Sequence, residues 1–119
     1  LSGRIKSMAD LEDDDWRRFF PRIQGENLER NLELVRSIEE MAAEKQCTAA
    51  QLALAWVLAR GEDIVPIPGT KRLAYLEENV AALEVVLTEV DMKLLDEVLP
   101  GGAASGTRYP EPGMQLVNV

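Results

Sequence analysis

Apolar positions recur with helical spacing in four stretches of the chain. In residues 27–45, Leu28, Leu32, Val35, Ile38 and Met41/Ala42 fall on one stripe, while Glu29, Arg30, Glu33, Arg36, Glu39, Glu40 and Glu44 lie mostly elsewhere. That spacing predicts an amphipathic helix. Its polar face is acidic, whereas a membrane-surface helix carries lysine and arginine there, so the apolar stripe is expected to pack on protein. Residues 48–60 predict a second helix. It opens on Thr48-Ala49-Ala50-Gln51, a capping box in which the Thr hydroxyl and Gln amide satisfy backbone groups reciprocally. From Gln46 to Ala59 there is no charged side chain, and a helix apolar nearly all round is expected to be buried on more than one side. Gly61 is the expected stop.

Ile64-Val65-Pro66-Ile67 is short, apolar and rich in β-branched residues, which predicts a buried strand; Pro66 favours an edge or strand end. Pro68-Gly69-Thr70 ends it. A third helix is expected over 72–83, with Leu73, Leu76, Val80 and Leu83 on one face, followed by an extended stretch over 84–87. Thr88-Glu89-Val90-Asp91 opens a fourth helix, 88–99, stopped by Pro100-Gly101-Gly102. The remainder is expected to be irregular. At the start, an acidic run (Asp10–Asp15) precedes Trp16-Arg17-Arg18-Phe19-Phe20, which reads as a surface loop with its aromatics tucked beneath. At the end, Gly101–Thr107 reads as a small-residue linker, and the prolines of Arg108–Pro112 argue against regular structure.

Composition narrows the chemistry. The 119 residues carry 13 Lys+Arg against 21 Asp+Glu, a net charge of −8, so a basic nucleic-acid footprint is not expected. There is no histidine, hence no histidine ligand, histidine base or Ser-His-Asp triad within these residues. One cysteine, Cys47, excludes an intrachain disulfide and a CxxC metal site. No apolar run approaches the ~20 residues of a membrane span, and no basic-then-apolar leader is visible. The expectation is a cytoplasmic protein.

One constellation carries chemistry. A helix, a short strand, a Gly-containing turn and another helix make half of a βα unit. Gly69 lets a ligand approach the backbone, and the start of the next helix offers free N–H groups and a positive dipole end. Thr70 adds a hydroxyl; Lys71 and Arg72 add two charges of the rarer sign. Together these could hold a phosphate. A Pro-Gly turn followed by two basic residues is equally the ordinary start of a solvated helix, and the GxxxxGK[ST] spacing of a P-loop is absent. Farther along, Glu77-Glu78-Asn79 offers groups that could hydrogen-bond a purine or ribose.

Gln51–Ala59, the run Ile64-Val65-Pro66-Ile67-Pro68-Gly69-Thr70-Lys71-Arg72 and Leu76-Glu77-Glu78-Asn79 together resemble the aldo-keto reductase superfamily, in particular bacterial, plant and yeast members related to the auxin-induced reductases. Leu1–Ile5, Pro21–Asn27 and Arg108-Tyr109-Pro110 fit the same group. The resemblance implies an α/β fold, the C-terminal portion of a (β/α)8 TIM barrel, since such barrels need roughly 250 residues. Residues 1–26 would be the loop after strand seven, 27–100 the helices and strand eight, and 101–119 the C-terminal tail of one barrel domain.

The resemblance also implies NADPH-dependent reduction of small aldehydes and ketones by hydride transfer. The catalytic tyrosine, aspartate, lysine and histidine of that family would lie upstream of Leu1, so no catalytic residue is assigned here and these residues alone are expected to be inactive. Carried over by position, Gly69, Thr70 and Lys71 would contact the adenosine 2′-phosphate with Arg72 close by. Glu78 and Asn79 would contact adenine, and Arg4 the pyrophosphate, with Arg22 a weaker candidate. Tyr75 stands where the family often has Arg or Gln against adenine, and it could stack there. The two cations favour NADPH over NADH, whose sites more often place an acid near the ribose. A non-catalytic member is the alternative, because potassium-channel β subunits share the barrel; a stand-alone helical interaction module is the remoter one. No metal, nucleic acid or membrane partner is implied.

Overall fold

Two capping boxes set where the helices begin. In the computed structural model, which describes residues 3–117, Thr48 Oγ1 accepts from the Gln51 N–H at 3.2 Å while Gln51 accepts from the Thr48 N–H at 2.9 Å. Thr88 and Asp91 repeat the arrangement at 3.2 and 2.6 Å. The chain forms helix α1 (Gly25–Glu44), α2 (Ala49–Leu58), α3 (Leu73–Ala81), α4 (Glu89–Val98) and a short α5 (Glu111–Met114). Single 3-10 turns sit at Met8–Asp10, Trp16–Phe19, Pro21–Ile23 and Ala82–Glu84. Leu1 and Ser2 of the loop read as following strand seven lie outside the described residues, as do residues 118–119.

The core lies where α1, α2 and α4 meet. Ile38 and Ala42 of α1, Leu52 of α2 and Leu95 of α4 are buried together, with Met41, Trp56, Val85, Leu87 and Leu99 packed around them. Asp96 ties α4 to α2. It pairs with the Arg60 guanidinium, which also lies 4.1 Å from the Trp56 ring centroid.

Several expectations need correction. The strand over Ile64–Ile67 is not formed, and no strand is present among the described residues. Strand pairing needs a neighbour to receive the ladder hydrogen bonds, and residues 64–70 run past none; Val65 and Ile67 are 80% and 95% exposed. The charge-free α2 buries one side, Leu52 and Ala55, while its remaining apolar positions are only half-covered. The expected apolar face of α3 exists, but Leu73, Leu76 and Val80 are exposed, and so is Leu83 in the 3-10 turn that replaces its last residues.

Other corrections are local. α2 ends at Leu58 with a right-handed cap at Ala59, so Gly61 is not its stop. Trp16 and Phe19 stand in solvent instead of beneath their loop; only Phe20 turns inward, edge-on to Trp16 and Tyr109. The proline-rich tail contains α5, because Pro112 falls in the first turn, where its missing N–H leaves no bond unmade.

The linker over 101–107 is fastened. Asn31 Nδ2 donates to the Ser105 carbonyl at 2.9 Å, and its Oδ1 accepts from the Ser105 N–H at 2.7 Å. Ser105 Oγ donates to Asn27 Oδ1 at 2.7 Å. The same two amides donate to the Pro21 and Arg22 carbonyls at 3.0 and 2.8 Å. Gly106 closes this clasp with φ +84°, and a Cβ there would meet the Pro21 and Arg22 backbone at 3.0–3.1 Å.

Asp91 gives a pH-dependent prediction. Its carboxylate accepts from Lys45 Nζ at 2.6 Å and from the Thr88 hydroxyl and N–H, which hold its pKa at about 2, below the ordinary 3.8. A depressed carboxylate stabilises the fold above its unfolded pKa and loses that contribution as pH falls through its folded value. Asp91→Ala in the full-length protein is expected to cost about 1 kcal/mol near neutral pH. Urea titrations should show the gap from wild type narrowing between about pH 4 and about pH 2.

Candidate functional site

A pocket of about 450 Å³ opens between the start of α2, the turn before α3 and the N-terminal loop. Arg4, Gly69, Tyr75, Glu78 and Asn79 line it, together with Thr48 and Glu39. Five of the eight residues nominated from the sequence therefore share one pocket. The other three, Thr70, Lys71 and Arg72, lie on the segment leading from Gly69 into α3.

Each position has a local cause. A Cβ added at Gly69 would meet nothing within 4 Å, so the chain leaves that side open to an incoming group. Thr70 Oγ1 donates to the Arg72 carbonyl at 3.1 Å and accepts from the Arg72 N–H at 3.4 Å, which shapes the turn. No side chain caps the start of α3, and the Leu73 and Ala74 N–H groups are available to an anion, whereas the Tyr75 N–H donates to the Arg72 carbonyl. Glu78 is oriented from α2: Thr48 Oγ1 donates to its Oε1 at 2.9 Å, and Gln51 Nε2 donates to its carbonyl at 3.1 Å. The cap of α2 thus doubles as the support of Glu78. The sequence shows Thr48 only as a cap, because nothing in a linear pattern links it to a residue 30 positions away.

Charge is segregated around the pocket. None of the ion pairs among the described residues involves Arg4, Lys71 or Arg72, although acids outnumber bases 21 to 13 in the chain. Arg4 and Arg72 both approach Tyr75, at 5.0 and 5.7 Å from the ring centroid, and Arg4 Nη2 donates to the Tyr75 hydroxyl. Glu39 and Glu78 supply the acidic side. Arg22 is turned to the clasp, donating to the Gly106 carbonyl at 3.3 Å. Among the described residues no cluster of His, Cys, Asp and Glu could hold a metal ion, and no helix is long and apolar enough to cross a membrane.

A pocket lined by Arg4 and an open glycine turn, with Lys71, Arg72 and an uncapped helix start following along the chain, suits a phosphorylated ligand. Comparison with known proteins gives the family. The Aldo/keto reductase family model matches residues 1–100. The chain belongs to the aldo/keto reductase family. Among curated relatives, it is 50% identical over 113 residues to Aldo-keto reductase yakc [NADP(+)] of Schizosaccharomyces pombe, covering 95% of this chain and 33% of that protein. It is 49% identical over 89 residues to Probable aldo-keto reductase 1 of Glycine max, covering 75% and 26%. It is 34% identical over 118 residues to Aldo-keto reductase str7 of Strobilurus tenacellus, covering 99% and 35%. The chain spans about a third of the length of the curated relatives it matches. The aldo/keto reductase family implies a (β/α)8 barrel, and a mostly helical piece of this length is consistent with part of one.

Proposed function

We propose that these residues are the cofactor-holding C-terminal part of an NADP(H)-dependent aldo/keto reductase that reduces small aldehydes and ketones in the cytoplasm. On this reading, residues 1–26 are the loop after strand seven, 64–67 become strand eight once paired, and 101–119 are the tail. The observation that carries it is the meeting of Arg4, which lines the pocket, with Arg72 at the Tyr75 ring, Lys71 being the next residue in the chain; none of the three forms an ion pair among the described residues of a chain of net charge −8. A relative bearing NADP(+) in its name supports the choice of cofactor.

The residues fit the group. Lys71 and Arg72 with the first-turn N–H groups of α3 would hold the adenosine 2′-phosphate, a dianion that needs cations. Arg4 would face the pyrophosphate. The open side of Gly69 lets the ribose approach the backbone, and Thr70 holds the turn in that shape. Glu78 and Asn79 would take the adenine, with Glu78 already oriented by Thr48. When bound, the nicotinamide cofactor supplies the hydride. These residues fix its adenosine end, and the proton for the product oxygen comes from residues outside this chain.

Fluorescence titration of the full-length protein tests the reading. NADPH is expected to bind at least about tenfold tighter than NADH, the equivalent of one charge-assisted contact. Equal affinities would overturn it.

A further inference from the structure

Tyr75 is engaged by its own protein. Its hydroxyl accepts from Arg4, 71 residues away in sequence, and both Arg4 and Arg72 lie within 6 Å of its ring centroid. Two guanidiniums repel each other, and neither is ion-paired with a carboxylate among the described residues. What gathers them is one aromatic ring, whose quadrupole attracts cations to its face, and one phenolic oxygen. Because that oxygen already accepts from Arg4, its own hydrogen is free to point elsewhere, and a phenol polarised by a neighbouring cation is the stronger donor.

We propose that Tyr75 is a positioning residue, not an adenine-stacking one: it draws Arg4 of the N-terminal loop and Arg72 at the start of α3 into a single claw for the phosphates of the cofactor. This rests on the 2′-phosphate reading given above and adds a link that reading does not contain. The loop that carries Arg4 is tied to α3 through Tyr75, so the pyrophosphate contact and the 2′-phosphate contact are set by one side chain.

The test is a double-mutant cycle on the full-length protein, read as the Kd for NADPH and for NADH by fluorescence titration. Tyr75→Phe keeps the ring and removes the hydroxyl. It is expected to weaken both cofactors about fivefold, through loss of the Arg4 contact. Arg4→Ala is expected to weaken both about tenfold. The double variant should be no weaker than Arg4→Ala alone, because the hydroxyl acts through Arg4. Tyr75→Leu also releases Arg72, so it should weaken NADPH several-fold more than NADH. A stacking tyrosine predicts the opposite: Tyr75→Phe harmless, and Tyr75→Leu weakening both cofactors equally. That pattern, or additive losses in the double variant, overturns the proposal. Lys71→Ala/Arg72→Ala, measured alongside, separates the two layers. If it loses NADPH selectively while the Tyr75 variants behave as a stacker, only the positioning role falls. If it leaves NADPH binding unchanged, the 2′-phosphate reading falls and takes this proposal with it.

Discussion

Lys71→Ala/Arg72→Ala in the full-length protein is expected to weaken NADPH binding roughly 100-fold, about 2.8 kcal/mol, and NADH binding less than about threefold. The asymmetry follows from charge. NADPH differs from NADH by one phosphate, and hydrogen bonds to a charged group contribute about 1.5–3 kcal/mol each when a partner is removed. Two such contacts would exceed 100-fold if fully desolvated; both side chains are exposed, and screening by water reduces the sum. Neither residue forms an ion pair among the described residues, so their removal breaks no internal contact of that kind. Equal losses for the two cofactors would remove the 2′-phosphate assignment, and an unchanged Kd for both would remove the site.

Residues 1–119 expressed alone are expected to remain partly collapsed, with helical far-UV circular dichroism, strong binding of a hydrophobic dye and no cooperative unfolding transition. The buried core is small: Ile38, Leu52 and Leu95 are its only large side chains almost fully withdrawn from water among the described residues. Against it stand Val65, Ile67, Leu73, Leu83, Val86 and Val90, each more than 60% exposed, on the segments 64–70 and 82–87 and at the starts of α3 and α4. Large apolar side chains exposed in that number are what a missing packing partner leaves behind. An apolar cavity of about 330 Å³ also opens beneath α2, lined by Leu54, Trp56, Val57 and Pro68. On the proposed reading, the remaining strands of the full-length protein would cover these groups and give residues 64–67 their ladder. A sharp, two-state urea transition in the isolated polypeptide would contradict this account.

The same contrast explains what was legible in the sequence. The four long helices were, because each carries its own signals: a 3.6-residue stripe in α1, α3 and α4, an uninterrupted apolar run in α2, and in α2 and α4 a capping box spanning four consecutive residues. The strand expected over Ile64–Ile67 was legible as an apolar segment but does not form among the described residues; on the proposed reading its hydrogen bonds belong to strands outside them. The candidate site was legible where a local motif carried it, in Gly69 through Arg72 and in Glu78-Asn79. The support of Glu78 by Thr48, and the meeting of Arg4 with Tyr75, arise from folding over 30 and 71 residues and leave no periodic trace. The tail was misread for a different reason. The prolines of Arg108–Pro112 argue against a helix interior, but in a first helical turn proline breaks nothing.

The clasp made by Asn27 and Asn31 bears on how this protein could be recombined with its relatives. Both asparagines sit on α1, and each holds a piece of the N-terminal loop and a piece of the tail at once. Exchanging residues 101–117 for those of another reductase, while keeping the native helix, would strand two half-buried amides and press any side chain at position 106 against Pro21 and Arg22. The loop, the first two turns of α1 and the tail therefore form one cassette, to be moved together or left alone. Selectivity borrowed from a relative through only one of them would arrive with the other two out of register.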